Sequence, residues 1–448
     1  MKAEHWESSF EKLARDYSQE MQTVLDELYA RQPENQVRPR LEPTRRAAAI
    51  LGDPQTNFGI IHITGTNGKT STARIIERIL REHGLRTGRL TSPHLIHFNE
   101  RIALDGEPVS DEVFVETYQE TKPLLELVDS QLIAEGEQRL TFFEAMTVLA
   151  FQVFSDAPID VLVLEVGMGG EWDSTNVADA DVAVFTPIDL DHQKSLGDTI
   201  AEIAHTKAGI IKPNSLVVSS RQTPEAEDVL RDRAEVLFSG QDFGVSDVSV
   251  DGYGVRFSVQ GLAGEYPHVW MPMLGEHQAE NAATAIAAVE LFLGGGRRAI
   301  ADEVLRQALA DAVSPGRLHI IEKDPLLILD GAHNPHGIRS LRKALSFHFP
   351  GRELIGVVAT LADKDWHQSA QELAATFNKL VITQAPGPRG LAASEFAAAF
   401  DGLDAEVIAV EPDSRVALEL LKGAMGESSV GVVTGSLYMV GEVLGLVR

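Results

Sequence analysis

The stretch Thr64-Gly65-Thr66-Asn67-Gly68-Lys69-Thr70-Ser71 joins an apolar run, residues 58–64, to an amphipathic stretch, residues 69–83. A buried strand, a glycine-containing turn and a helix form the setting of a phosphate-binding loop, because glycines let the backbone approach a phosphate and the helix N-terminus presents amide groups. Lys69 adds a positive charge. Ile63 stands where the first glycine of the usual GxxxxGK[ST] pattern belongs. The loop alone therefore predicts nucleotide binding and leaves an ordinary glycine turn before a helix as the alternative.

Further apolar runs at residues 161–165, 182–186 and 216–219 lie between helical stretches and predict a parallel sheet with helical crossovers. Between residues 245 and 273 apolar and polar residues alternate, which predicts a small inserted antiparallel region. A second series of βα units follows, with strands predicted at residues 326–330, 354–359, 380–383, 407–410 and 430–434. The fold class is therefore α/β: a phosphate-loop parallel-sheet ATPase domain followed by a second, Rossmann-like α/β domain.

Two helices are expected ahead of the loop, over residues 5–29 and 44–51, where apolar residues recur at helical spacing and Gly52 ends the second helix. The domain boundary is predicted near Ser314-Pro315-Gly316, a turn signal between a helix and a new strand. A chain of 448 residues is longer than one core usually supports, which agrees with two domains.

Composition excludes several classes of function. A net charge of −27 argues against non-specific binding to nucleic acid or to anionic membranes. The absence of cysteine excludes disulfides, thiolate metal ligands and cysteine nucleophiles. Residues 1–10 are polar and lack the apolar run of a secretory signal, and no apolar stretch reaches membrane-spanning length. A cytoplasmic protein is expected.

Polar residues at strand ends are the candidate metal ligands. Glu165 ends a predicted strand, where a magnesium ligand lies in phosphate-loop enzymes, although it could also be a charge that leaves the strand into solvent. The segment Asp189-Leu190-Asp191-His192 follows another strand end of the same sheet, one strand along from Glu165. His192 is thus a second candidate, even though a lone histidine is more often structural. Lys207 would by default be a surface lysine.

Taken together, these features make the chain resemble folylpolyglutamate synthase, including the bifunctional dihydrofolate synthase form, within the Mur ligase superfamily. The resemblance rests on ordered motifs over nearly the whole chain: LGDPQ (51–55), TGTNGKTS (64–71), TSPHL with FNERI (91–102), TFFE (141–144), EVGMGG with DSTN (165–176), LDH, KAGIIKP, GEHQAENA, SPGR, DGAHNP and TGSLYMVGE. It implies an ATP-dependent amide ligase that adds L-glutamate to tetrahydrofolate, to dihydropteroate or to both, through an acyl phosphate.

The resemblance also implies a set of ligands and partners. The cofactors would be ATP, two Mg²⁺ ions, a monovalent cation and a lysine carbamylated by CO₂. The partners would be folate or dihydropteroate, L-glutamate and ATP, with no nucleic acid and no membrane, and the protein is expected to be a monomer. Residues 1–313 would form the ATP-binding central domain with a pterin-side N-terminal segment, and residues 314–448 the glutamate ligase domain.

Site residues carry over where the motifs match. The resemblance assigns ATP binding to Thr66, Asn67, Gly68, Lys69, Thr70, Asn281, Arg317 and Asp330. It assigns metal binding to Ser92, Glu165 and His192, and catalysis to Lys69, Lys207 and His333, with Lys207 as the carbamylated lysine. It assigns the folate side to Thr141, Phe142, Phe143, Glu144, Trp172, Asp173 and Ser174. Two departures from the family stand out: Thr70 replaces a common glycine, and Glu171-Trp172 replaces a common Arg-Leu, which could change substrate preference.

Three other functions compete with this reading. A peptidoglycan-precursor ligase would need a uridine-binding domain ahead of the loop, but fewer than about seventy residues precede Gly65. A nucleotide-dependent switch or motor ATPase would have no use for a second domain with DGAHNP. A pure binding module would leave the many potential ligands idle.

Overall fold

The computed structural model describes residues 17–34 and 36–447 and contains two α/β domains. The elements of the first are α1 (Ser18–Tyr29), α2 (Glu42–Ile50), β1 (Gly59–Thr64), α3 (Lys69–Glu82), β2 (Thr87–Leu90), β3 (Ile102–Leu104), β4 (Glu107–Pro108), α4 (Asp111–Ala134), α5 (Phe142–Asp156), β5 (Val161–Glu165), β6 (Val182–Phe185), α6 (Gln193–Leu196), α7 (Ile200–Ala208), β7 (Leu216–Ser219), α8 (Pro224–Arg233), β8 (Leu237–Phe238), β9 (Gly244–Val250), β10 (Val255–Gln260), β11 (Glu265–Met271), α9 (Glu276–Gly294) and α10 (Asp302–Ala310). Those of the second are β12 (His319–Lys323), β13 (Leu326–Leu329), α11 (Pro335–His348), β14 (Leu354–Val358), α12 (Trp366–Ala374), β15 (Lys379–Ile382), α13 (Ala393–Ala398), β16 (Glu406–Val410), α14 (Ser414–Ala424), β17 (Val430–Thr434) and α15 (Leu437–Val447).

The first sheet has the strand order β4-β3-β2-β5-β1-β6-β7-β8. Strand β1 lies inside it, with β5 and β6 parallel on either side, so its carboxyl end opens the phosphate loop at the middle of the sheet. Strands β2 to β8 in this order are parallel, as the sequence predicts. The α3 helix packs its apolar face on this sheet through Ile75, Ile76 and Ile79, all of them buried. Because these three side chains anchor α3 on the sheet, the phosphate loop at the N-terminus of α3 is held in a fixed position.

An antiparallel hairpin of β3 and β4 extends the sheet at one edge, a feature that the parallel prediction omitted. The two strands are joined by Asp105-Gly106, both of which have positive φ (48° and 87°). Two consecutive residues with positive φ form a tight turn whose backbone twist matches the twist of the two strands of a hairpin. Asp-Gly is a common sequence for this turn. The signal was therefore present in the sequence.

A second correction concerns the neighbour of Glu165. The strand that leads to His192 is β6, and β1 lies between β5 and β6, so His192 is two strand positions from Glu165 rather than one. The chain visits β1, β5 and β6 in that order but places β1 in the centre, which sequence order does not reveal.

The inserted antiparallel region is confirmed as a three-stranded sheet, β11-β10-β9, whose buried face joins the core that also contains α9. The second sheet has the order β12-β13-β17-β14-β15-β16, and the five predicted strands are its parallel members, β13 to β17. β12, which the prediction omitted, pairs antiparallel with β13. Of the predicted helix at residues 5–29, the part up to residue 16 lies outside the described residues, and α1 buries Met21, Val24 and Leu28.

Ser314-Pro315-Gly316 lies in the connection between α10 and β12, and the boundary predicted there stays a prediction. No helix within residues 17–34 and 36–447 is both long enough and apolar enough to span a bilayer.

Candidate functional site

The phosphate loop is held closely against its surroundings by two glycines. Gly65 has φ of 150°, and a Cβ there would lie 1.9 Å from the Oγ1 atom of Thr186. Gly68 has φ of 87°, and a Cβ there would lie 2.8 Å from the Oδ1 atom of Asn281. A side chain at either position would clash, so glycine is required for the turn and for its contact with β6 and α9. The loop backbone is thereby left open toward a large cavity.

This cavity, about 900 Å³ in volume, lies between the two domains. It will be called the catalytic cavity. All but one of the site residues that the family resemblance assigns line it. The first domain contributes Thr66, Asn67, Gly68, Lys69, Thr70, Ser92, Thr141, Phe143, Glu144, Glu165, Trp172, Asp173, Ser174, His192, Lys207 and Asn281, and the second contributes Arg317, Asp330 and His333.

Lys69 folds back over the loop that it follows. Its Nζ donates hydrogen bonds to the carbonyl oxygens of Gly65 (3.1 Å) and Thr66 (3.2 Å). Burial lowers the pKa of Lys69, while the charges of Glu165 and Asp191 act in the opposite direction. The Lys69 ammonium group therefore lies at the phosphate loop, near the carboxylates of Glu165 and Asp191. From there it can bind a phosphate group held by the loop.

Glu165 and Thr70 form the pair that best fits a magnesium ion. Glu165 is 2% exposed, and both of its carboxylate oxygens lie 3.0 Å from the Thr70 hydroxyl, which donates to them. Burial raises the pKa of Glu165, against the charge of Lys69 and the Thr70 hydrogen bond, which lower it. A carboxylate beside the hydroxyl that follows the loop lysine is the donor set that phosphate loops offer to Mg²⁺. Thr70, which replaces a common glycine of the family, thus adds an oxygen next to Glu165.

The other two metal candidates lie in the same cavity. His192 is the residue before α6 and has φ of 51°, and burial lowers its pKa to about 4. A neutral imidazole is the form that can bind a metal. Ser92 lines the cavity from the loop after β2. Within residues 17–34 and 36–447 no three His, Asp or Glu side chains are arranged to hold a metal, so the set Ser92, Glu165 and His192 stays a prediction.

Lys207 is a buried lysine and not the surface residue that it would be by default. It is 4% exposed, and its Nζ donates to the carbonyl oxygen of Gly65 at 2.8 Å. Burial, followed by the charge of Lys69, lowers the pKa of Lys207 to about 7. The carbonyl contact places its amine directly beside the phosphate loop. A large fraction of the amine is therefore uncharged at neutral pH and nucleophilic.

The second domain contributes a loop between β13 and α11. Asp330 accepts hydrogen bonds from the backbone amides of Leu318 (2.8 Å) and Ala332 (2.9 Å). His333 lies 2.8 Å, through Nδ1, from the carbonyl oxygen of Gly331, and burial lowers its pKa to about 3. Arg317 acts on Asp330 by charge and lowers its pKa, although burial has the larger, opposite effect. Asp330 therefore shapes this loop in addition to facing the cavity.

Three hydrogen bonds across the cavity were not predicted from the sequence. Asp191 accepts hydrogen bonds from Lys364 (3.3 Å) and from Asn334 (3.1 Å), both in the second domain. Asn67 of the phosphate loop lies 2.5 Å, through Nδ2, from Nδ1 of His336. Asp191 and Asn334 each belong to a motif, LDH and DGAHNP, but no local pattern marks Lys364, whose partner is remote in sequence.

The folate-side residues divide between the cavity and the core. Phe143 faces the cavity and lies over Gly167, where a Cβ would approach the Phe143 ring to 2.5 Å. Phe142 does not line the cavity: it is 2% exposed and stacks on Tyr29 at 5.2 Å between ring centroids. Its assignment to the folate site is therefore corrected. Successive residues of α5 point in different directions, and Phe142 points into the core.

Glu144, Asp173 and Thr141 have structural partners as well as a place at the cavity. Glu144 forms a paired contact with Arg40, with both N···O distances 2.8 Å, and caps α5 together with Thr141. Asp173 accepts from the Met168 amide at 2.8 Å and from Thr175, and so holds the loop after β5. These two carboxylates fix the cavity wall that Trp172 and Ser174 complete.

Comparison with known proteins agrees with this geometry. The Mur ligase middle-domain family model matches residues 63–289, and the Mur ligase glutamate ligase domain model matches residues 316–437. A dihydrofolate synthase/folylpolyglutamate synthase of Mycobacterium tuberculosis is 41% identical over 83% of this chain and 79% of its own length. The chain belongs to the folylpolyglutamate synthase family of Mur ligases. Members of this family are ATP-dependent carboxylate–amine ligases, and this chain is one of them.

Solved structures show the same fold. A Mycobacterium tuberculosis folylpolyglutamate synthase complexed with ADP and AMPPCP superposes with a TM-score of 0.90 at 36% identity, over 96% of this chain and 99% of that one. Escherichia coli FolC in complex with DHPP and ADP superposes with a TM-score of 0.83 at 27% identity, over 97% and 99%. The chain binds ATP and small-molecule substrates, in agreement with these complexes.

Proposed function

We propose that the catalytic cavity joins L-glutamate to the carboxylate of a folate, either tetrahydrofolate, dihydropteroate or both, with ATP consumed to ADP and phosphate. The observation that carries this proposal is that one cavity contains the phosphate loop, the Glu165–Thr70 pair, Lys207 and the loop of Asp330 and His333. A carboxylate does not condense with an amine in water without activation. ATP supplies the activation by forming an acyl phosphate, which the glutamate amine then attacks.

Positioning and charge neutralisation dominate phosphoryl transfer. We assign neutralisation to Lys69, whose ammonium lies at the loop, and to Arg317 from the opposite wall. The loop amides of Thr66 to Thr70 and the dipole of α3 would bind the phosphates. We propose that Asn281, which is 5% exposed and lies beside Gly68, contacts the base of the nucleotide.

Magnesium, when bound, would neutralise phosphate oxygens at the site where Glu165 and Thr70 offer a carboxylate and a hydroxyl. We propose Ser92 and His192 as the further ligands, with two ions in all, and on the family resemblance alone a monovalent cation. A carbamate on Lys207 would convert a buried cation into a carboxylate-like group beside the loop. Its support is the uncharged fraction that burial produces in this amine.

The second domain completes the site. We propose that His333 orients the incoming glutamate amine without adding charge, since burial lowers its pKa to about 3. Closure of the two domains on the bound substrates would exclude bulk water, which would otherwise hydrolyse the acyl phosphate. Phe143, Trp172 and Ser174 line the side on which we place the pterin and aminobenzoate rings. We propose a monomer, since both walls come from one chain, and a cytoplasmic location, where ATP and reduced folates are available.

Phosphate release in the presence of ATP tests the function. The protein is mixed with ATP and magnesium, and then with glutamate, with tetrahydrofolate or dihydropteroate, or with both substrates. Release that requires both substrates supports the ligase, and the folate that gives more product identifies the preferred acceptor. Release of the same size without either substrate would contradict the proposal and favour a nucleotide-dependent switch.

A further inference from the structure

A second polar cavity, of about 410 Å³, lies along α3 on the side of the segment that leads into the second domain. It will be called the arginine cavity. Its ten described lining residues all differ from those of the catalytic cavity. Four guanidinium groups face it, from Arg74, Arg78, Arg81 and Arg89, against the carboxylates of Glu77, Glu107 and Asp311. With Glu82, which pairs with Arg78, four carboxylates balance the four arginines, so the question is which arginine is left without a close partner.

Some of this positive charge is neutralised within the protein. Arg78 contacts Asp311 and Glu82 at 2.6 Å each. Arg81 lies 3.4 Å from Glu77, and Arg89 lies 3.3 Å from the same carboxylate. One carboxylate, Glu77, thus serves two arginines, and Glu77 also accepts from the Thr87 hydroxyl.

Arg74 is offset at longer range only, since the charges of Glu77, Glu100 and Glu165 act on it without an ion pair in the described part of the chain. Arg74 has no hydrogen-bond or ion-pair partner within residues 17–34 and 36–447, and burial lowers its pKa to about 9. Arg89 is 2% exposed, and its Nε has no hydrogen-bond partner among these described residues. A buried guanidinium without a partner is costly, and an ion pair or a bound anion removes the cost. Arg74, which is partly buried and has no ion pair among the residues described, is therefore the arginine whose donors are free.

We propose that the arginine cavity is a second anion-binding site, in which Arg74 binds an oxyanion the size of phosphate or a short dicarboxylate. Phosphate and carboxylate each present two oxygen atoms that one guanidinium group can bind through two parallel hydrogen bonds. The site goes beyond the ligase reaction, because it lies outside the catalytic cavity. It also lies on the helix that begins at the phosphate loop, and Arg78 ties that helix to Asp311 just before the turn at residues 314–316.

Calorimetric titration of inorganic phosphate tests this site, with the enzyme saturated by a non-hydrolysable ATP analogue so that the phosphate loop is occupied. The unmodified protein should bind phosphate, and Arg74→Gln should weaken binding about tenfold or more, the effect of losing a charge-assisted hydrogen bond. Arg231→Gln is the matched control, since it removes the same charge from an exposed pair with Glu227 on α8. Titration with succinate in place of phosphate shows which of the two oxyanions fits better.

A second variant keeps the test decisive if Arg74→Gln does not fold. Val313 is 60% exposed and lines the arginine cavity, so Val313→Glu adds a carboxylate that repels an anion without disturbing the core. Val313→Gln is its neutral control. The proposal is overturned if the unmodified protein binds neither phosphate nor succinate, or if Arg74→Gln and Val313→Glu bind as their controls do. Either result would leave the ligase assay unaffected.

Discussion

The two walls of the catalytic cavity differ in what holds their charged groups. On the first-domain wall, Lys69 and Lys207 contact neutral carbonyl oxygens, and Glu165 accepts from the Thr70 hydroxyl alone among the described residues. On the second-domain wall, Asp330 accepts from two backbone amides and fixes the loop that carries His333. The charged side chains of Lys69, Lys207 and Glu165 can therefore reorient toward a substrate. Asp330 instead fixes the conformation of the loop that carries His333. Variants of Lys69 and Lys207 should lose activity with little change in stability, whereas variants of Asp330 should lose both.

The largest effect is expected for Lys69→Ala. Its ammonium is the positive charge at the phosphate loop, and one such contact in a dry site contributes several kcal/mol to the transition state. We expect kcat/KM to fall about 1,000-fold or more. The melting temperature should stay close to that of the unmodified protein, because the bonds lost are to two loop carbonyls. Lys343→Ala, on the exposed face of α11, is the control, and near-normal ligation by Lys69→Ala would be incompatible with the proposed mechanism.

Lys207→Ala should lower kcat about 100-fold if a carbamate acts there, and acetate should restore part of the activity by replacing the lost carboxylate-like group. Lys212→Ala, a lysine of the same segment that pairs with Asp179 at 3.5 Å, should behave normally. Full activity of Lys207→Ala without acetate would exclude a role for the carbamate.

The pH dependence of the unmodified enzyme provides an independent measurement. CO₂ reacts with the neutral amine, and the pKa of Lys207 is lowered to about 7, so carbamylation should increase as the pH rises through 7. Activity gained by incubation with bicarbonate should therefore be larger at pH 8 than at pH 6. A gain that is equal at both values would contradict this assignment.

The residues assigned from the sequence line both walls of the cavity, apart from Phe142 of the first domain. The phosphate loop and Glu165 each follow a strand in a short contiguous motif, and carboxyl ends of parallel strands meet at one edge of a sheet. Their location is therefore a local property of the chain. The strand order is not, and this is why His192 was placed one strand position too close to Glu165.

Contacts between residues that are far apart in the sequence could not be predicted from local sequence patterns. Lys364 reaches Asp191 from 173 positions away, and nothing in its neighbourhood distinguishes it from a surface lysine. Phe142 and Phe143 are adjacent and identical in type, yet one enters the core and the other faces the cavity. Helix phase decides between them, and the motif alone does not give the phase. The Asp105-Gly106 turn is different, because its hairpin signal is local: two adjacent residues with positive φ.

Asp330→Ala tests the second wall, where stability and activity should fall together. The substitution leaves the amides of Leu318 and Ala332 without their acceptor, at a cost of about 1–3 kcal/mol for each buried unpaired group. We expect a melting temperature several degrees lower and kcat reduced about 10- to 100-fold. Asp324→Ala, in the turn between β12 and β13, is the control. A normal melting temperature with lost activity would place Asp330 with the chemical groups of the first wall, and the contrast between the walls would fail.

Lys364→Met should have the smallest effect, since it removes one contact between the walls and not a wall itself. Both Lys364 and Asp191 have side chains that are 13% exposed, and a partly buried pair of this kind contributes about 1 kcal/mol or slightly more. We expect kcat/KM to fall about threefold to tenfold. The double variant with Asp191→Asn should lose little more than Asp191→Asn alone, because the contact is already broken. Strictly additive losses would show that Lys364 and Asp191 act independently, and closure of the two walls would then have to depend on other contacts, of which Asn67 with His336 is the next to test.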